Sequence, residues 1–323
     1  MQAIVMTGTG GPEVLVAREV PRPHPAAGEI LIRTAAIPVL YPETQLRAGA
    51  FPMATPPPVI FGFQAAGEVV EVGAGVAPDL VGRRVVARTD GSGSYAEFVC
   101  APAQHATFIP DAVSAEDAAA AVMSGSIALA LLDTARLTGS ETVVVEAAAT
   151  GVGSYLVQLA REFGAARVIA TAGGPAKVDH ARTLGADLVI DHRRDGWTEA
   201  LAENAPGTVD VVFDSIGGTS AAALLPAMTP GSGRMLSYGW LSGTPAQVSA
   251  AELIPGGLTL AACAGPAWQQ RADRAQADIL ARVPALVPPV ETTLPLDQAA
   301  RAHELVESRH PLGKVVLRPA TTG

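Results

Sequence analysis

The stretch that decides the fold is Glu146-Ala-Ala-Ala-Thr-Gly-Val-Gly153, which closes a strand-like apolar run and opens a helical pattern. Small residues there let the backbone turn sharply and approach a pyrophosphate, which would then lie at the helix N-terminus. The match to the pattern G-x-G-x-x-G is partial, because Ala148 and Thr150 occupy the first two glycine positions and Gly153 keeps the third. An ordinary strand-to-helix turn, tight because the two elements touch, is the alternative.

Around this stretch, apolar strands alternate with amphipathic helices. The predicted strands are Thr142–Ala147, Arg167–Thr171, Asp187–Asp191, Val209–Asp214, Arg234–Tyr238 and Leu258–Cys263, and the helices between them are Ser154–Phe163, Pro175–Leu184, Trp197–Asn204 and Ser220–Met228. Continuous Val/Ile-rich runs are typical of strands that are buried on both faces of a parallel sheet. The alternation therefore predicts a doubly wound α/β domain with right-handed crossovers.

The two ends of the chain have a different texture, with short β-rich runs separated by turns and proline-rich loops. The clearest predicted strands there are Ala3–Met6, Glu29–Ala35, Gly67–Val72, Arg84–Arg88, Glu97–Cys100 and Lys314–Leu317, the last preceded by a helix over Leu296–Glu307. Helical periodicity begins near residue 115, with helices predicted over Ala118–Met123 and Ala128–Arg136. A chain of 323 residues is long enough for two domains.

Composition excludes several classes of function. The formal charge of −9, without a basic block, argues against a nucleic-acid partner, because phosphate binding relies on a basic surface. The two cysteines, Cys100 and Cys263, lie far apart in sequence and outside any C-x-x-C pair, so we expect no thiolate metal site. We expect both to be reduced core thiols, and a disulfide between them is the alternative. No signal peptide is evident, and the apolar run Ala118–Leu132 is too short to span a bilayer. We therefore expect a cytoplasmic protein that acts on a small molecule, away from membranes.

The end of the second predicted strand bears on cofactor choice. An NAD site usually places a carboxylate there for the ribose 2′-hydroxyl. Here the strand ends in Thr171-Ala-Gly-Gly174 without an acidic residue, and Lys177 follows. Small residues and a cation suit a 2′-phosphate, which predicts NADPH. The alternative is a solvated lysine, although the first turn of a helix is an unfavourable place for a cation.

Several segments together resemble the medium-chain dehydrogenase/reductase superfamily, in its zinc-independent quinone oxidoreductase, or zeta-crystallin-like, branch. They are Gly10–Leu15, Gly62–Gly73, the Ala148–Gly153 loop, Asp214-Ser-Ile-Gly-Gly218 and the ending His310–Leu317. The resemblance covers essentially the full length. It implies a GroES-like β domain, residues 1–121 and 266–323, with a Rossmann NADPH-binding domain, residues 122–265, inserted between them.

The resemblance also implies three groups of cofactor-binding residues. The group for the pyrophosphate is Thr150, Gly151, Val152 and Gly153, and the group for the adenosine ribose and its 2′-phosphate is Thr171, Gly173, Lys177 and His192. The group bordering the nicotinamide half is Asp214, Ser215, Ile216, Gly217, Tyr238, Gly239 and Trp240. His192 stands where relatives often have tyrosine, and an exposed residue that simply follows a strand is its alternative interpretation.

The substrate half departs from the family. Zinc-dependent relatives carry histidine and glutamate where this chain has Phe63-Gln64, and they carry cysteines that are absent here, so we expect no metal. In the Pro38–Gln45 segment, which we interpret as a stiff loop, Leu40 replaces a common asparagine. Two further positions differ, because Phe51 lies near an enoyl-reductase tyrosine and Ile127 replaces a threonine that contacts the cofactor.

Tyr41 and Glu43 are then the catalytic candidates. A phenol can hydrogen-bond a carbonyl oxygen and stabilise the enolate formed by hydride addition, whereas a carboxylate helps only when it is protonated. A half-buried tyrosine with its hydroxyl in water is the alternative for Tyr41.

Three functions remain open. The leading hypothesis is NADPH-dependent hydride transfer to a quinone or an α,β-unsaturated carbonyl, since both accept hydride without metal assistance. The others are a tailoring enoyl or ketone reductase for one biosynthetic intermediate, and a catalytically idle NADPH-binding sensor or structural protein. Family members pair an edge strand across a two-fold axis, and the apolar run Leu258–Cys263 therefore predicts a homodimer. A strand covered by the tail of its own chain is the alternative.

Overall fold

The computed structural model describes residues 1–50, 53, 55–89, 91–287 and 290–320. The chain divides into two compact units. The terminal unit consists of Met1–Met123 and Gln276–Gly323, and the central unit consists of Ser124–Ala275.

The regular elements are numbered here in chain order. The strands are β1 (Gln2–Met6), β2 (Leu15–Glu19), β3 (Glu29–Pro38), β4 (Val59–Ile60), β5 (Gln64–Val72), β6 (Arg84–Arg88), β7 (Phe98–Pro102), β8 (Ala106–Phe108), β9 (Glu141–Val145), β10 (Ala165–Ala172), β11 (Leu188–Asp191), β12 (Val211–Asp214), β13 (Arg234–Ser237), β14 (Thr259–Ala262), β15 (Val290–Pro295) and β16 (Lys314–Arg318). The helices are α1 (Tyr41–Arg47), α2 (Ala115–Ala135), α3 (Gly151–Leu159), α4 (Pro175–Thr183), α5 (Trp197–Asn204), α6 (Ser220–Leu224), α7 (Ala250–Leu253), α8 (Pro266–Arg274), α9 (Gln276–Arg282) and α10 (Ala299–Ser308).

The central unit is built on a parallel sheet. Within the described ranges its order is β11-β10-β9-β12-β13-β14, and every neighbouring pair is parallel. The centre of β9, Val143–Val145, is fully buried, as expected for a strand covered on both faces. The order reverses between β9 and β12, and this reversal is where doubly wound sheets open a crevice for ligands. β14, at the edge, is the strand that the apolar run Leu258–Cys263 predicted.

The terminal unit is mainly antiparallel. A larger sheet runs in the order β15-β16-β3-β5-β6-β8 with β7 paired to β3, and a smaller sheet runs β2-β1-β4. Among these pairs only β15 and β16 are parallel within the part of the chain that is described. The core between the sheets and α10 is centred on Phe61 and Tyr95, whose rings meet edge to face with centroids 5.5 Å apart.

Helix α2 corrects two predictions. The chain forms one continuous helix over Ala115–Ala135 where two shorter helices were predicted, because Ser124 and Ser126 stay helical with buried side chains. At 21 residues it is also long enough to cross a membrane, whereas the apolar run predicted from sequence, Ala118–Leu132, was too short. However, 78% of its apolar window is buried inside the protein, so α2 is a core helix.

The turn from β9 to α3 is closely packed at Gly153. A Cβ atom added there would lie 2.6 Å from the Ala147 carbonyl oxygen and 2.8 Å from the Ala148 Cα atom. Both distances are shorter than a carbon atom tolerates, so glycine is required for the helix to approach the strand. This approach brings the first turn of α3 to the point where the strand order reverses.

Gly153→Ala should therefore lower the free energy of unfolding by about 1–3 kcal/mol, because backbone atoms must shift to admit the methyl group. Chemical denaturation monitored by circular dichroism measures the change. Gly8→Ala is the matched control, since an added Cβ there meets nothing within 4 Å. Equal stability of the two variants would contradict the packing described here.

Candidate active site

The turn from β9 to α3, predicted to hold a pyrophosphate, has two residues with left-handed backbone, and neither is a glycine position assigned from the sequence pattern. Left-handed backbone occurs at Ala147 (φ 48°) and Gly151 (φ 57°), whereas Thr150 is extended (φ −144°). The glycine positions assigned from the pattern, Ala148 and Thr150, are therefore not where the backbone demands glycine. Thr150 caps α3 without using its side chain for a capping hydrogen bond, so its hydroxyl and the first-turn N–H groups suit an anion.

The residues predicted for the 2′-phosphate come together at the end of β10. The Thr171 hydroxyl lies 3.3 Å from His192 Nδ1. A Cβ added at Gly173 would lie 2.9 Å from His192 Nε2 and 3.1 Å from Arg193 Nε, so both side chains lie close to the backbone there. Lys177, on the first turn of α4, is close enough for its charge to act on His192. Arg193 was not singled out from the sequence.

Asp191 organises this cluster. One of its carboxylate oxygens accepts hydrogen bonds from the backbone N–H groups of Gly174, at 2.9 Å, and Arg193, at 3.0 Å. Burial opposes ionisation, but these hydrogen bonds outweigh it and lower the pKa of Asp191 below its ordinary value. The carboxylate ending β11 thus holds the loop backbone, while the basic side chains of Lys177, His192 and Arg193 gather around Gly173.

The residues predicted for the nicotinamide half also lie side by side. The Asp214 carboxylate is fully buried and accepts hydrogen bonds from the N–H groups of Ile216, at 3.1 Å, and Gly217, at 2.7 Å. Its second oxygen accepts from the Ser237 hydroxyl at 2.6 Å. Asp214 therefore shapes the loop after β12.

The segment after β13 packs on that loop. The Tyr238 N–H donates to the Asp214 carbonyl oxygen at 2.9 Å, and a Cβ added at Gly239 would lie 3.1 Å from the Ser215 carbonyl oxygen. Trp240 follows with an exposed side chain. The predicted runs Asp214–Gly217 and Tyr238–Trp240 thus lie side by side at the carboxyl ends of β12 and β13.

Glu146 was missed by the sequence analysis as a site residue in its own right. It directly follows β9, its side chain is fully buried, and it lies beside Asp214. Burial, followed by the neighbouring Asp214 carboxylate, raises the pKa of Glu146 well above its ordinary value. Burial therefore favours the protonated form of its carboxyl group. The available signal was an acidic residue closing an otherwise apolar strand.

In the terminal unit, the catalytic candidates lie on α1, so the stiff loop predicted over Pro38–Gln45 is wrong. Pro42 is compatible with a helix because it occupies the first turn, where its missing N–H is not needed. Glu43 reaches back to the N–H of Leu40 at 2.8 Å and holds the N–H of Phe63 at 3.0 Å. These bonds fix the start of the helix against the neighbouring chain.

Glu43 belongs to a buried polar chain. The Tyr95 hydroxyl donates to Glu43 at 3.0 Å and lies 3.1 Å from His303 Nε2. Burial raises the pKa of Glu43 to about 7, although its hydrogen bonds act to lower it. Burial also lowers the pKa of the neighbouring Lys314 to about 8. Burial, with the charge of Arg47, lowers the pKa of His303 to about 3. Tyr95, His303 and Lys314 were not found from sequence as partners of Glu43.

Tyr41 occupies a different environment from Glu43. Its ring is half-buried, and its hydroxyl oxygen accepts a hydrogen bond from Arg309 Nη2 at 3.1 Å. The Arg309 guanidinium lies 5.6 Å from the ring centroid. Since arginine only donates, the phenol keeps its own hydrogen for another acceptor. The two candidates thus share a helix, one directed into the core and the other toward the surface.

The positions that depart from the family are also placed. Gln64 is buried, and its side-chain amide donates to the Ala119 carbonyl oxygen at 2.9 Å. Leu40 is buried, Ile127 is half-buried on α2, and Phe51 lies outside the described residues. Among the residues described, no group of three or more His, Cys, Asp or Glu side chains could hold a metal ion.

Comparison with known proteins places this architecture in a family. Residues 26–111 match the alcohol dehydrogenase GroES-like domain, and residues 151–279 match the zinc-binding dehydrogenase family. Quinone oxidoreductase 1 of Escherichia coli strain K12 is 34% identical over 96% of this chain and 97% of its own. The chain belongs to the medium-chain dehydrogenase/reductase superfamily, in its quinone oxidoreductase branch. The predicted GroES-like β fold and Rossmann-type parallel sheet are confirmed.

Other members of the superfamily are equally similar over their full length. The 2-haloacrylate reductase of a Burkholderia species is 31% identical and covers 99% of each chain. The crystal structure of Escherichia coli quinone oxidoreductase complexed with NADPH has a TM-score of 0.89 at 32% identity, covering 99% of this chain and 100% of that one. A mycobacterial protein, also complexed with NADPH, has a TM-score of 0.87 at 34% identity, with coverage of 99% and 100%. Related structures thus hold NADPH.

Tyr95→Phe should lower the free energy of unfolding by about 1–3 kcal/mol, because it removes a buried hydrogen bond to Glu43 and the buried contact of the hydroxyl with His303 Nε2. Thermal and urea unfolding measure the loss. Tyr41→Phe is the matched control and should change stability by less than about 0.5 kcal/mol, since its hydroxyl lies at the surface. A Tyr95→Phe protein as stable as the control would show that the buried chain contributes nothing.

Proposed function

We propose that this protein is an NADPH-dependent reductase that delivers a hydride to a quinone or an α,β-unsaturated carbonyl without a metal. The observation that carries the proposal is the basic cluster around Gly173, in which the carboxylate of Asp191 is occupied by backbone N–H groups. An NAD site at this place would offer a carboxylate to the ribose, and a 2′-phosphate needs cations instead.

The residues present fit the dinucleotide. Thr150 and the first-turn N–H groups of α3 would hold the pyrophosphate, and Lys177 and His192 would hold the 2′-phosphate. The loops after β12 and β13, tied together through Asp214, would border the nicotinamide. When bound, the cofactor supplies the hydride. The protein supplies fixed geometry and a site from which bulk water is displaced.

The substrate class is supported by chemistry and by relatives. Hydride addition to a quinone or an enone places the new charge on an oxygen through conjugation, so the acceptor does not need a Lewis acid. The relatives are named for a quinone and for a 2-haloacrylate, and both are conjugated, electron-poor acceptors.

One observation favours a second candidate, an idle NADPH-binding protein. The Glu43 carboxylate is buried and hydrogen-bonded within the core, and Leu40 has an apolar side chain. This segment therefore lacks polar side chains that relatives have in the substrate pocket. Steady NADPH consumption with a panel of quinones and enones separates the two functions. We expect turnover with at least one acceptor, whereas tight NADPH binding without any turnover would favour the idle protein.

Lys177→Ala should weaken NADPH binding and leave NADH binding nearly unchanged. Loss of one charge-assisted contact costs roughly 1.5–3 kcal/mol, which is about a 10- to 150-fold rise in the NADPH Kd. Fluorescence titration with both cofactors measures the effect. Arg182→Ala, which removes a surface cation from the same helix, is the matched control. An equal loss for both cofactors would refute the assignment of this cluster.

We propose Tyr41 as the proton donor, because its phenol accepts from Arg309 and keeps its hydrogen available. Tyr41→Phe should then lower kcat by about ten-fold or more while leaving the NADPH Kd unchanged. Pre-steady-state and steady-state assays with one enone acceptor provide the measurement. Unchanged turnover would assign the proton step to solvent, as a quinone acceptor would tolerate.

A further inference from the structure

The cluster at the end of β10 contains one imidazole, the side-chain type whose ordinary pKa lies closest to neutral pH. We propose that His192 is a proton-coupled specificity residue, which gains a proton when a ribose 2′-phosphate binds beside Gly173. The preference for NADPH over NADH would then weaken as pH rises. The inference rests on the proposed function, since it takes NADPH as the cofactor.

The position of the ring supports this role. His192 Nδ1 faces the Thr171 hydroxyl at 3.3 Å, and Nε2 lies against Gly173, 2.9 Å from the position a Cβ atom would take there. A hydroxyl can donate to a neutral Nδ1 or accept from a protonated one. Thr171 can therefore hold the ring in the same place in both charge states, and the proton can be gained without a change of position.

Three charged residues, Asp191, Arg193 and Lys177, act on the ring. Arg193 lies beside it, Lys177 faces it from α4, and Asp191 precedes it with a carboxylate engaged by backbone N–H groups and lying 3.8 Å from Arg194. Burial lowers the pKa of His192, and Arg193 and Lys177 lower it further against the opposing charge of Asp191. In the free protein at neutral pH the ring is therefore uncharged.

A bound 2′-phosphate reverses this balance. It brings close to two negative charges above pH 7, which offset Lys177 and Arg193 and attract a positive imidazolium. One proton then moves from solvent to the ring, and no bond other than N–H is formed. NADH has a neutral hydroxyl at the same position, so it offers no charge to stabilise that proton. Protonation is thus coupled to the cofactor that carries the phosphate.

Isothermal titration calorimetry of the whole protein tests the coupling. Adenosine 2′,5′-bisphosphate, NADPH and NADH are titrated at pH 7.5 in three buffers of different ionisation enthalpy, excluding phosphate. We expect proton uptake with the two 2′-phosphorylated ligands and close to none with NADH. Between pH 7.0 and 8.5 the ratio of NADH Kd to NADPH Kd should fall by about threefold or more.

The variant His192→Gln provides the matched comparison, because glutamine keeps a hydrogen-bond donor and does not titrate. It should bind NADPH with no proton uptake and with a cofactor ratio that is flat over the same pH range. Equal uptake for NADPH and NADH, or undiminished uptake in the variant, would overturn the inference alone. A wild-type protein that binds neither 2′-phosphorylated ligand would overturn the proposed function and the inference together.

Discussion

The close approach of β9 and α3 at Gly153 is the constraint on which the rest of the central unit depends. A side chain there would collide with the backbone of Ala147 and Ala148, so the helix can start beside the strand only with glycine. That contact places the first turn of α3 at the reversal of strand order. The loops after β10, β11 and β12 then meet at the same edge, since the carboxyl ends of parallel strands lie together.

Acidic side chains at that edge of the sheet stabilise the loop backbone itself. Asp191 and Asp214 each hold two backbone N–H groups, and Glu146 lies buried beside Asp214. The loops are therefore stiff, which suits a site that must hold reacting atoms in fixed positions. The basic side chains near Gly173 are the ones proposed to bind the 2′-phosphate. The same division applies in the terminal unit, where Glu43 fixes α1 from within and Tyr41 remains outside.

The parallel sheet could be predicted because each of its strands is a continuous apolar run with its own local signal. The strands β2 and β4 could not, since β2 buries only Leu15 and β4 has two residues. Helix α1 was not predicted because Pro38 and Pro42 lie in and beside it, and prolines are also typical of stiff loops. The chain from Glu43 through Tyr95 to His303 joins residues up to 260 positions apart, and no local pattern reports such contacts. The residues predicted to bind the cofactor could be named from the sequence because they follow the ends of predicted strands.

Transfer of deuterium tests the central claim most directly. NADPH carrying deuterium at C4, prepared separately for each face of the ring, is incubated with the protein and an enone that it reduces, and the product is analysed by mass spectrometry and NMR. We predict deuterium at the β-carbon of the product from one face only, since a fixed site presents a single face. Product without deuterium from either label, or deuterium from both faces in equal amounts, would contradict hydride transfer at the site described.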